Sequence, residues 1–359
     1  MAALRVLYVD HVADIGGAQR SLLEMLAALD RKLVQPTVVC RGPGRFSADL
    51  GALGVEVLFY GTDLVGKVAA YAPHLIHSNA FRAIPLSLNL ARMRNTVCIG
   101  HCRDMVPVWE RQAMQSSAAV DYMIAVSSAV KRRLATVIPY QRIVVIHNGV
   151  DTGKFAPMVK GAHLRQAWNV RGSEVLFGVV GQVIRWKGHV DFLHAAKMVT
   201  DEGLPCKFVI VGDSLFNSGE FKEELKALVI TLGLSDRVVF AGFRHDMPAV
   251  MAALDVLVLP SWEEPFGRVL VEAMSSGRAV IATNAGGVPE VVIRNVTGLL
   301  VPPRDPRALY EAMAMLARSE DLRRRFGTFG RKRAVERFSI RQHVERILCV
   351  YETAMEARR

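Results

Sequence analysis

Cysteine is scarce in this chain, and the few that occur are spread along it. They are odd in number, at Cys40, Cys98, Cys102, Cys206 and Cys349. This usage argues against a disulfide framework and favours a reducing compartment, so we expect a cytoplasmic protein. Long apolar runs are absent too, since none approaches the roughly 18 residues that a membrane span requires. Residues 1–14 meet Asp10 too early for a signal peptide and predict a first core strand instead.

Several signatures of catalysis and binding are also missing. The sequence has no nucleophilic Ser–His–Asp elbow, no P-loop phosphate motif, no HExxH helix and no Asp-x-Asp pair. Zinc-finger spacings, RNP-like motifs and aromatic-interleaved basic patches are absent, which argues against nucleic acid as a partner. Cys98, His101 and Cys102 are poorly spaced for zinc, because Cys98 is predicted to lie inside a strand and no second ligand pair follows. We therefore expect no metal site.

Apolar residues and positive charge are abundant. The 359 residues are 51% hydrophobic and 22% charged, which suits two domains with large cores. The formal net charge is +11, and basic clusters occur at 131–133, 323–325 and 331–333. Solvated helix faces are one interpretation of these clusters. The other is peripheral contact with the anionic inner membrane surface, where each basic residue contributes about 1 kcal/mol.

Short apolar runs alternate with helix-period segments along the whole chain. Seven predicted strands lie in the first half and six in the second, and most of them end in Gly or a polar residue. Repeated strand–helix units predict parallel sheets with helices on both faces, whose ligands gather at the carboxyl ends of the strands. We predict an N-terminal domain over 1–160, a C-terminal domain over 170–340 and a final helix over 341–359, with a mixed linker segment at 151–174.

The most informative segment is EEPFGRVLVEAM, residues 263–274. Pro265 places Glu264 on a loop, and good helix formers follow Gly267. A helix that begins at a Gly directs free backbone N–H groups and its positive dipole end at what precedes it, commonly a phosphate. Glu272 lies more than one turn inside this helix, where it suits a ribose better than a phosphate. The order of acid, amides and acid therefore fits a phosphorylated sugar.

Glycine-containing loops follow the first strand of each half. Gly16–Gly17 allows a ligand to approach the backbone closely, although the pair lacks the full dinucleotide fingerprint and also fits a simple tight turn. The second loop, Gly181 to Gly188, contains Lys187. This lysine can sit against a diphosphate as a point charge, or it can lie on an exposed basic loop. Together with the acidic segment, the diphosphate interpretation is the better one.

Eight motifs, in order along nearly the whole chain, resemble those of the glycosyltransferase family 4 enzymes, which are retaining transferases of the GT-B fold. They are GGAQRSL (16–22), AVSSAVKRRL (125–134), VIHNGVD (145–151), GQxxxxKG (181–188), VGD (211–213), EPFGRVLVE (264–272), GGVPEVV (286–292) and TGLLVPP (297–303). The resemblance implies an α/β protein of two Rossmann-like parallel-sheet domains facing across a cleft. The first would hold the acceptor and the second most of the nucleotide-sugar donor, and the final helix would cross back to the first.

In the second domain, the resemblance implies a role for five residues. Lys187 would contact the donor diphosphate, and Glu264 would bind hydroxyls of the transferred sugar. Glu272 would bind the ribose. Phe266 and Gly267 would offer backbone N–H groups to the sugar and the phosphate.

In the first domain, His101 matches the family histidine that contacts the donor sugar, and it completes the implied catalytic set with Lys187 and Glu264. Gly16–Gly17 would close on the donor phosphate, and Gln19 would face the acceptor. The family usually has an arginine where this chain has Gln182. Either Arg185, three residues on, binds the diphosphate instead, or the site carries one positive charge fewer.

The implied reaction moves a sugar from a nucleoside diphosphate to a glycan or lipid-linked acceptor, without metal or cofactor and with retained anomeric configuration. A sugar-nucleotide epimerase, a phosphorylase and a non-catalytic sugar-nucleotide-binding subunit are the alternatives. The base of the nucleotide is left open among uridine, guanosine and adenosine, because the sequence of the loop 241–246, which is expected to flank the base, does not indicate one of them. Asn79, Arg82 and Arg103 on the acceptor side do not identify the acceptor. Synthesis of envelope polysaccharide or glycolipid is the expectation from fold-level analogy.

Overall fold

The computed structural model of this chain describes residues 3–105, 115–214 and 219–358. The chain forms two compact units. The first comprises Met1–Gly149 together with Ile340–Arg359, and the second is Val150–Ser339. These divisions lie beside the predicted linker at 151–174 and the predicted start of the final helix at 341.

The described strands correspond one by one to the apolar runs that predicted strands. The first unit contains β1 (Leu4–Val9), β2 (Val34–Cys40), β3 (Glu56–Phe59), β4 (Leu75–Ser78), β5 (Val97–Cys102), β6 (Tyr122–Ala125) and β7 (Ile143–Val145). The second contains β8 (Val175–Val180), β9 (Cys206–Val211), β10 (Val238–Gly242), β11 (Val256–Leu259), β12 (Ala279–Thr283) and β13 (Leu299–Val301). All named strand pairs are parallel, which confirms the predicted α/β class with two parallel sheets.

Helices connect these strands in both units. Those of the first unit are α1 (Gly17–Ala28), α2 (Arg45–Ala52), α3 (Leu64–Tyr71), α4 (Ile84–Arg94), α5 (Ser128–Leu134) and α14 (Ile340–Glu356). Those of the second are α6 (Ala162–Ala167), α7 (His189–Asp201), α8 (Glu220–Thr231), α9 (Met247–Ala253), α10 (Arg268–Ser275), α11 (Val288–Val291), α12 (Pro306–Arg318) and α13 (Glu320–Arg337). Within the described ranges, none of the helices has the length and apolar content needed to cross a bilayer.

Apolar side chains of the strands and their covering helices form a core in each unit. In the second, Phe177 of β8 and Phe192 of α7 both pack on Phe208 of β9. Every residue of β8 and of β11 is buried, because helices cover both faces of a parallel sheet. Continuous burial explains why these strands read as unbroken apolar runs in the sequence.

The strand order of each sheet reverses at one point. The first sheet runs β3-β2-β1-β4-β5-β6-β7, so its order reverses between β1 and β4. The second runs β10-β9-β8-β11-β12-β13 and reverses between β8 and β11. Ligands of open α/β sheets bind outside the carboxyl ends of the strands at such a point. The loops that carry Lys187 and Glu264 follow β8 and β11, so the topology places both residues at this point of the second sheet.

Candidate functional site

Lys187 and Glu264 form a hydrogen-bonded ion pair within the second unit. Lys187 Nζ donates to Glu264 Oε2 over 2.7 Å, although the two residues are 77 positions apart in the sequence. Their side chains are only 16% and 10% exposed. Ser261 Oγ donates to the same carboxylate oxygen over 3.1 Å. The structure therefore brings the two principal predicted site residues together, with Ser261 as a partner that the sequence did not indicate.

A short 3₁₀ turn, Arg185–Lys187, holds the lysine in place. Gly188 follows it in the left-handed region at φ +73°, and a Cβ there would stand 2.0 Å from the carbonyl oxygen of Pro260. Trp262 N donates to Trp186 O over 2.8 Å, so the loops after β8 and β11 run directly against each other. Glycine is required at 188 both for its backbone conformation and for this close approach.

The GGVPE motif contacts the loop that carries Glu264. Gly287 N donates to Glu264 O over 2.8 Å. Gly286 is left-handed, at φ +58°, and a Cβ there would stand 2.1 Å from the same oxygen. By itself, Gly-Gly is an ordinary turn signal. Its physical role here is close backbone packing against Glu264, so the motif is part of the candidate site.

The helix after the acidic loop begins directly after Gly267, as the sequence predicted. Gly267, at φ +86°, immediately precedes Arg268, the first residue of α10. Phe266 is 2% exposed and packs edge-on against Phe338, with the ring centroids 5.8 Å apart. Arg268 Nε donates to Glu272 Oε1 over 3.0 Å, and the two side chains are 12% and 9% exposed. Glu272, the predicted ribose ligand, is thus held by Arg268, a residue for which no role was predicted although it stands four positions earlier on the same helix.

Arg185 contacts a different part of the second unit. Its Nη2 lies 2.7 Å from both carboxylate oxygens of Glu224 on α8, and its side chain is 64% exposed. The guanidinium also lies 4.9 Å from the centroid of the Phe221 ring. The structure therefore joins Arg185 to α8 and not to the Lys187–Glu264 pair. A contact between Arg185 and the diphosphate stays a prediction.

In the first unit, a buried carboxylate organises the Gly16–Gly17 loop. Asp10, which is fully buried, accepts hydrogen bonds from Gln19 Nε2 over 3.0 and 2.9 Å and from Asn79 Nδ2 over 2.7 Å. The Gln19 carbonyl oxygen in turn accepts from Gly16 N over 3.0 Å. Gln19 is 5% exposed, and both ends of its amide hold this loop. Its predicted contact with an acceptor stays a prediction, as does the contact of the glycines with a phosphate.

His101 lies inside β5, next to the last residue of the strand. The strand continues because His101 pairs in register with Ile124 of β6 and Cys102 pairs with Ala125. Side chains alternate along a strand, so His101 lies on the opposite face from Cys98 and Cys102. The three side chains therefore cannot converge on one metal ion.

The His101 ring is fully buried. Its Nδ1 lies 3.2 Å from His77 Nε2 and 3.2 Å from Arg103 Nη2. Burial, and then the charge of Arg103, hold the pKa of His101 well below its usual range. The pKa of His77 is lowered for the same two reasons. Both rings are therefore neutral at physiological pH.

Two family models match consecutive segments of this chain. The model described as Glycosyltransferase Family 4 matches residues 15–154. The model described as Glycosyl transferases group 1 matches residues 162–333. All the predicted site residues fall within these two segments.

Curated relatives align with part or nearly all of the chain. The alpha-maltose-1-phosphate synthase of Mycobacterium tuberculosis is 27% identical over 377 residues, which cover 94% of this chain and 95% of the relative. The lipopolysaccharide core biosynthesis mannosyltransferase LpsB of Rhizobium meliloti is 29% identical over 242 residues, 66% of each protein. This chain thus spans 60% and 66% of the lengths of two curated relatives and 95% of a third.

A similar solved structure covers both units. It is the crystal structure of HepE from Anabaena in complex with UDP and glucose, with a TM-score of 0.89 and 25% sequence identity. The match covers 97% of this chain and 99% of the HepE chain.

Proposed function

Because this chain belongs to the family 4 and group 1 glycosyltransferases and has the GT-B fold, we propose that it transfers a sugar, with retained anomeric configuration, from a nucleoside diphosphate to a glycan or lipid-linked acceptor. The buried Lys187–Glu264 pair, at the point where the order of the second sheet reverses, carries the proposal. A lysine is a point charge for phosphate, and a carboxylate accepts hydrogen bonds from sugar hydroxyls. The pair thus places a cation for the diphosphate next to a hydrogen-bond acceptor for the sugar hydroxyls.

In this proposal, Lys187 stabilises the charge that develops on the leaving diphosphate. The positive dipole end at the start of α10 adds to this stabilisation. Gly188 and Gly267 hold the backbone of both elements in left-handed conformations, so the donors are in place before the substrate binds. Because an ammonium group has three N–H donors, Lys187 can keep its bond to Glu264 while it binds a phosphate oxygen.

Glu264 serves to position the sugar. It accepts hydrogen bonds from sugar hydroxyls and does not attack the anomeric carbon. Retention then results from front-face attack: the bond from the anomeric carbon to the phosphate oxygen breaks, the bond to the acceptor oxygen forms on the same face, and the leaving phosphate takes the acceptor proton. This route requires charge stabilisation and positioning, which Lys187, Glu264 and α10 supply, and needs no protein nucleophile.

The similar structure and the relatives suggest which nucleotide-sugar donor to test first. The similar HepE structure contains UDP and glucose, and the relatives include a mannosyltransferase and a maltose-1-phosphate synthase. A uridine diphosphate hexose is therefore the first donor to test, with guanosine and adenosine diphosphate hexoses beside it.

Incubation with a panel of uridine, guanosine and adenosine diphosphate hexoses tests the proposal. We expect one of them to release its nucleoside diphosphate, by slow hydrolysis alone and faster when a suitable glycan or lipid-linked acceptor is present. Proton NMR of the product should show the anomeric configuration of the donor. An inverted product would refute retention, and a donor epimer formed without transfer would point to the epimerase alternative.

We also propose that the reaction needs no divalent metal and no cofactor. Lys187 and the α10 amides supply the positive charge that a metal would otherwise bring to the diphosphate. Turnover should therefore change by less than about twofold in excess EDTA, since a bound metal would otherwise contribute several kcal/mol of transition-state stabilisation. Activity that appears only after magnesium or manganese is added would overturn this part of the proposal.

Peripheral binding of this cytoplasmic enzyme to the inner membrane surface is a further part of the proposal. Lys131 and Arg132 lie on α5, and Lys131 Nζ stands 3.7 Å from the ring centroid of Tyr140, which is 60% exposed. Exposed aromatic and basic side chains together suit the surface of an anionic bilayer. We expect the protein to co-sediment with phosphatidylglycerol vesicles, less so after Lys131→Glu with Arg132→Glu, and not with phosphatidylcholine vesicles. Equal sedimentation of both proteins would exclude this surface.

A further inference from the structure

A line of buried polar side chains joins the final helix to His101 within the first unit. The hydroxyl oxygens of Tyr8 and Tyr351 are 3.2 Å apart, and the Tyr351 hydroxyl lies 2.6 Å from His77 Nδ1. His77 Nε2 lies 3.2 Å from His101 Nδ1. All four residues are fully buried. A buried polar group that lacks a partner costs about 1–3 kcal/mol, so the protons along this line should take one consistent order.

The sheet register places these side chains together. Tyr8 of β1 pairs with His77 of β4, and His77 pairs with Ile99 of β5. Register partners of a parallel sheet share a face, and so do residues two apart on a strand. His101, two residues after Ile99, therefore lies on the same face as His77. The final helix α14 packs on this face and brings Tyr351 to His77.

Arg103 sets the direction of the hydrogen bonds. A guanidinium can only donate, so His101 Nδ1 must accept from Arg103 Nη2 and carries no proton. His77 Nε2, which faces the same acceptor, must then donate to it. His77 Nδ1 is left to accept from the Tyr351 hydroxyl, whose oxygen also lies 3.2 Å from that of Tyr8. Both nitrogens of His77 then have a partner of the correct kind, and the lone pair of His101 Nδ1 is shared between two donors.

We propose that His101 is fixed as the neutral tautomer with its proton on Nε2, and that His77 and Tyr351 are positioning residues that maintain this tautomer. His101 Nε2 is buried and has no hydrogen-bond partner in the part of the chain that the structure describes. On the proposed function, on which this inference rests, its N–H donates to an oxygen of the nucleotide sugar. His101 is then a hydrogen-bond donor to the substrate and not the base that deprotonates the acceptor.

Nitrogen-15 NMR of the full-length, histidine-labelled protein tests the tautomer directly, with His101→Gln to assign its signals. We expect an unprotonated Nδ1 and a protonated Nε2 on His101 at neutral pH. A protonated Nδ1, on a neutral or a cationic ring, would overturn the inference whatever the activity. A protein with the expected tautomer that releases nucleoside diphosphate from no donor would instead contradict the proposed function alone.

Two substitutions at His77 test the positioning role. Glutamine keeps an N–H donor for His101 and a carbonyl oxygen that accepts from Tyr351, whereas leucine keeps neither. We expect His77→Leu to lower kcat about fivefold or more, as loss of one buried hydrogen bond implies, with a smaller change in KM. His77→Gln should restore most of kcat, and Tyr351→Phe should act in the same direction as His77→Leu. In His77→Leu and Tyr351→Phe, the His101 signals should shift toward a mixture of tautomers.

Ile76→Ala is the matched control for a purely structural effect. Ile76 precedes His77 on β4, is also fully buried and points to the other face of the sheet. We expect this variant to melt at a lower temperature while it keeps the kcat and the His101 tautomer of the parent. If His77→Leu matched Ile76→Ala in kcat and in the His101 spectrum, the positioning role would be lost.

Discussion

Lys187→Ala will lower kcat/KM for sugar transfer by about a hundredfold to a thousandfold, the range expected when one fixed electrostatic contact to a transition state is removed. The lysine lies in a mostly buried place beside Glu264 and is the charge we assign to the leaving diphosphate. Charge builds on that group as the bond to the sugar breaks, so the loss should fall on kcat at least as much as on KM. Initial rates at varied donor concentration measure both constants.

Glu264→Gln will lower kcat/KM by a similar factor, here through loss of the carboxylate charge. Glutamine keeps the size of the side chain and can still accept a hydrogen bond from Ser261, but it removes the charge that pairs with Lys187. Residues that act as a unit are strongly non-additive. The double variant Lys187→Ala with Glu264→Gln should therefore lose much less activity than the product of the two single losses.

Lys197→Ala is the control for loss of a lysine in the second unit. Lys197 pairs with Asp201 on α7, with side chains that are 37% and 57% exposed. Exposed ion pairs contribute little to stability, so this variant should keep the activity and the melting temperature of the parent. Near-normal turnover in both Lys187→Ala and Glu264→Gln would refute our assignment of the site.

Gly188→Ala will destabilise the second unit by roughly 3 kcal/mol or more, because strain and steric overlap act together. The residue is left-handed at φ +73°, and the new Cβ would stand 2.0 Å from the carbonyl oxygen of Pro260. Relief of this overlap requires the loops after β8 and β11 to separate, and those loops carry Lys187 and Glu264. We expect activity to fall with stability, as measured by urea unfolding and by initial rates on the folded protein.

Gly203→Ala separates the steric part of that effect from the conformational part. Gly203 has nearly the same conformation, φ +76°, but a Cβ there would meet nothing within 4 Å. A left-handed alanine alone costs about 1–2 kcal/mol, so this variant should be only mildly destabilised and fully active. Equal losses of stability at 188 and 203 would show that the contact with Pro260 is not what requires glycine.

The sequence was most informative where a local pattern decides the structure. Apolar runs bounded by Gly and polar residues predicted the strands, because burial on both faces of a parallel sheet leaves this mark on each strand separately. Pro265 and Gly267 likewise predicted a loop followed by a helix, which begins at Arg268. Pairing also helps to set where a strand ends: β5 continues past Ile99 because His101 and Cys102 pair with β6.

The sequence was least informative about contacts between distant positions. Motifs indicated Lys187 and Glu264 separately, but the bond between them spans 77 positions and depends on the order of the strands. Arg185 has the charge and place that suit a diphosphate, yet in the structure it pairs with Glu224 on a separate helix. The line from Tyr351 to His77 joins residues 274 positions apart, and no short pattern marks either of them.

The position of α14 has a consequence for how the protein is made. Its residues Val344, Ile347 and Tyr351 belong to the core of a sheet whose strands all come from the first 145 residues. Domains generally fold as units during synthesis, N-terminal ones first. Here the second unit is one continuous segment that can fold as it leaves the ribosome, whereas the first must wait for the last 17-residue helix to emerge. A nascent chain that stops short of this helix would have a complete second unit, but no Tyr351 to order the histidines of the first.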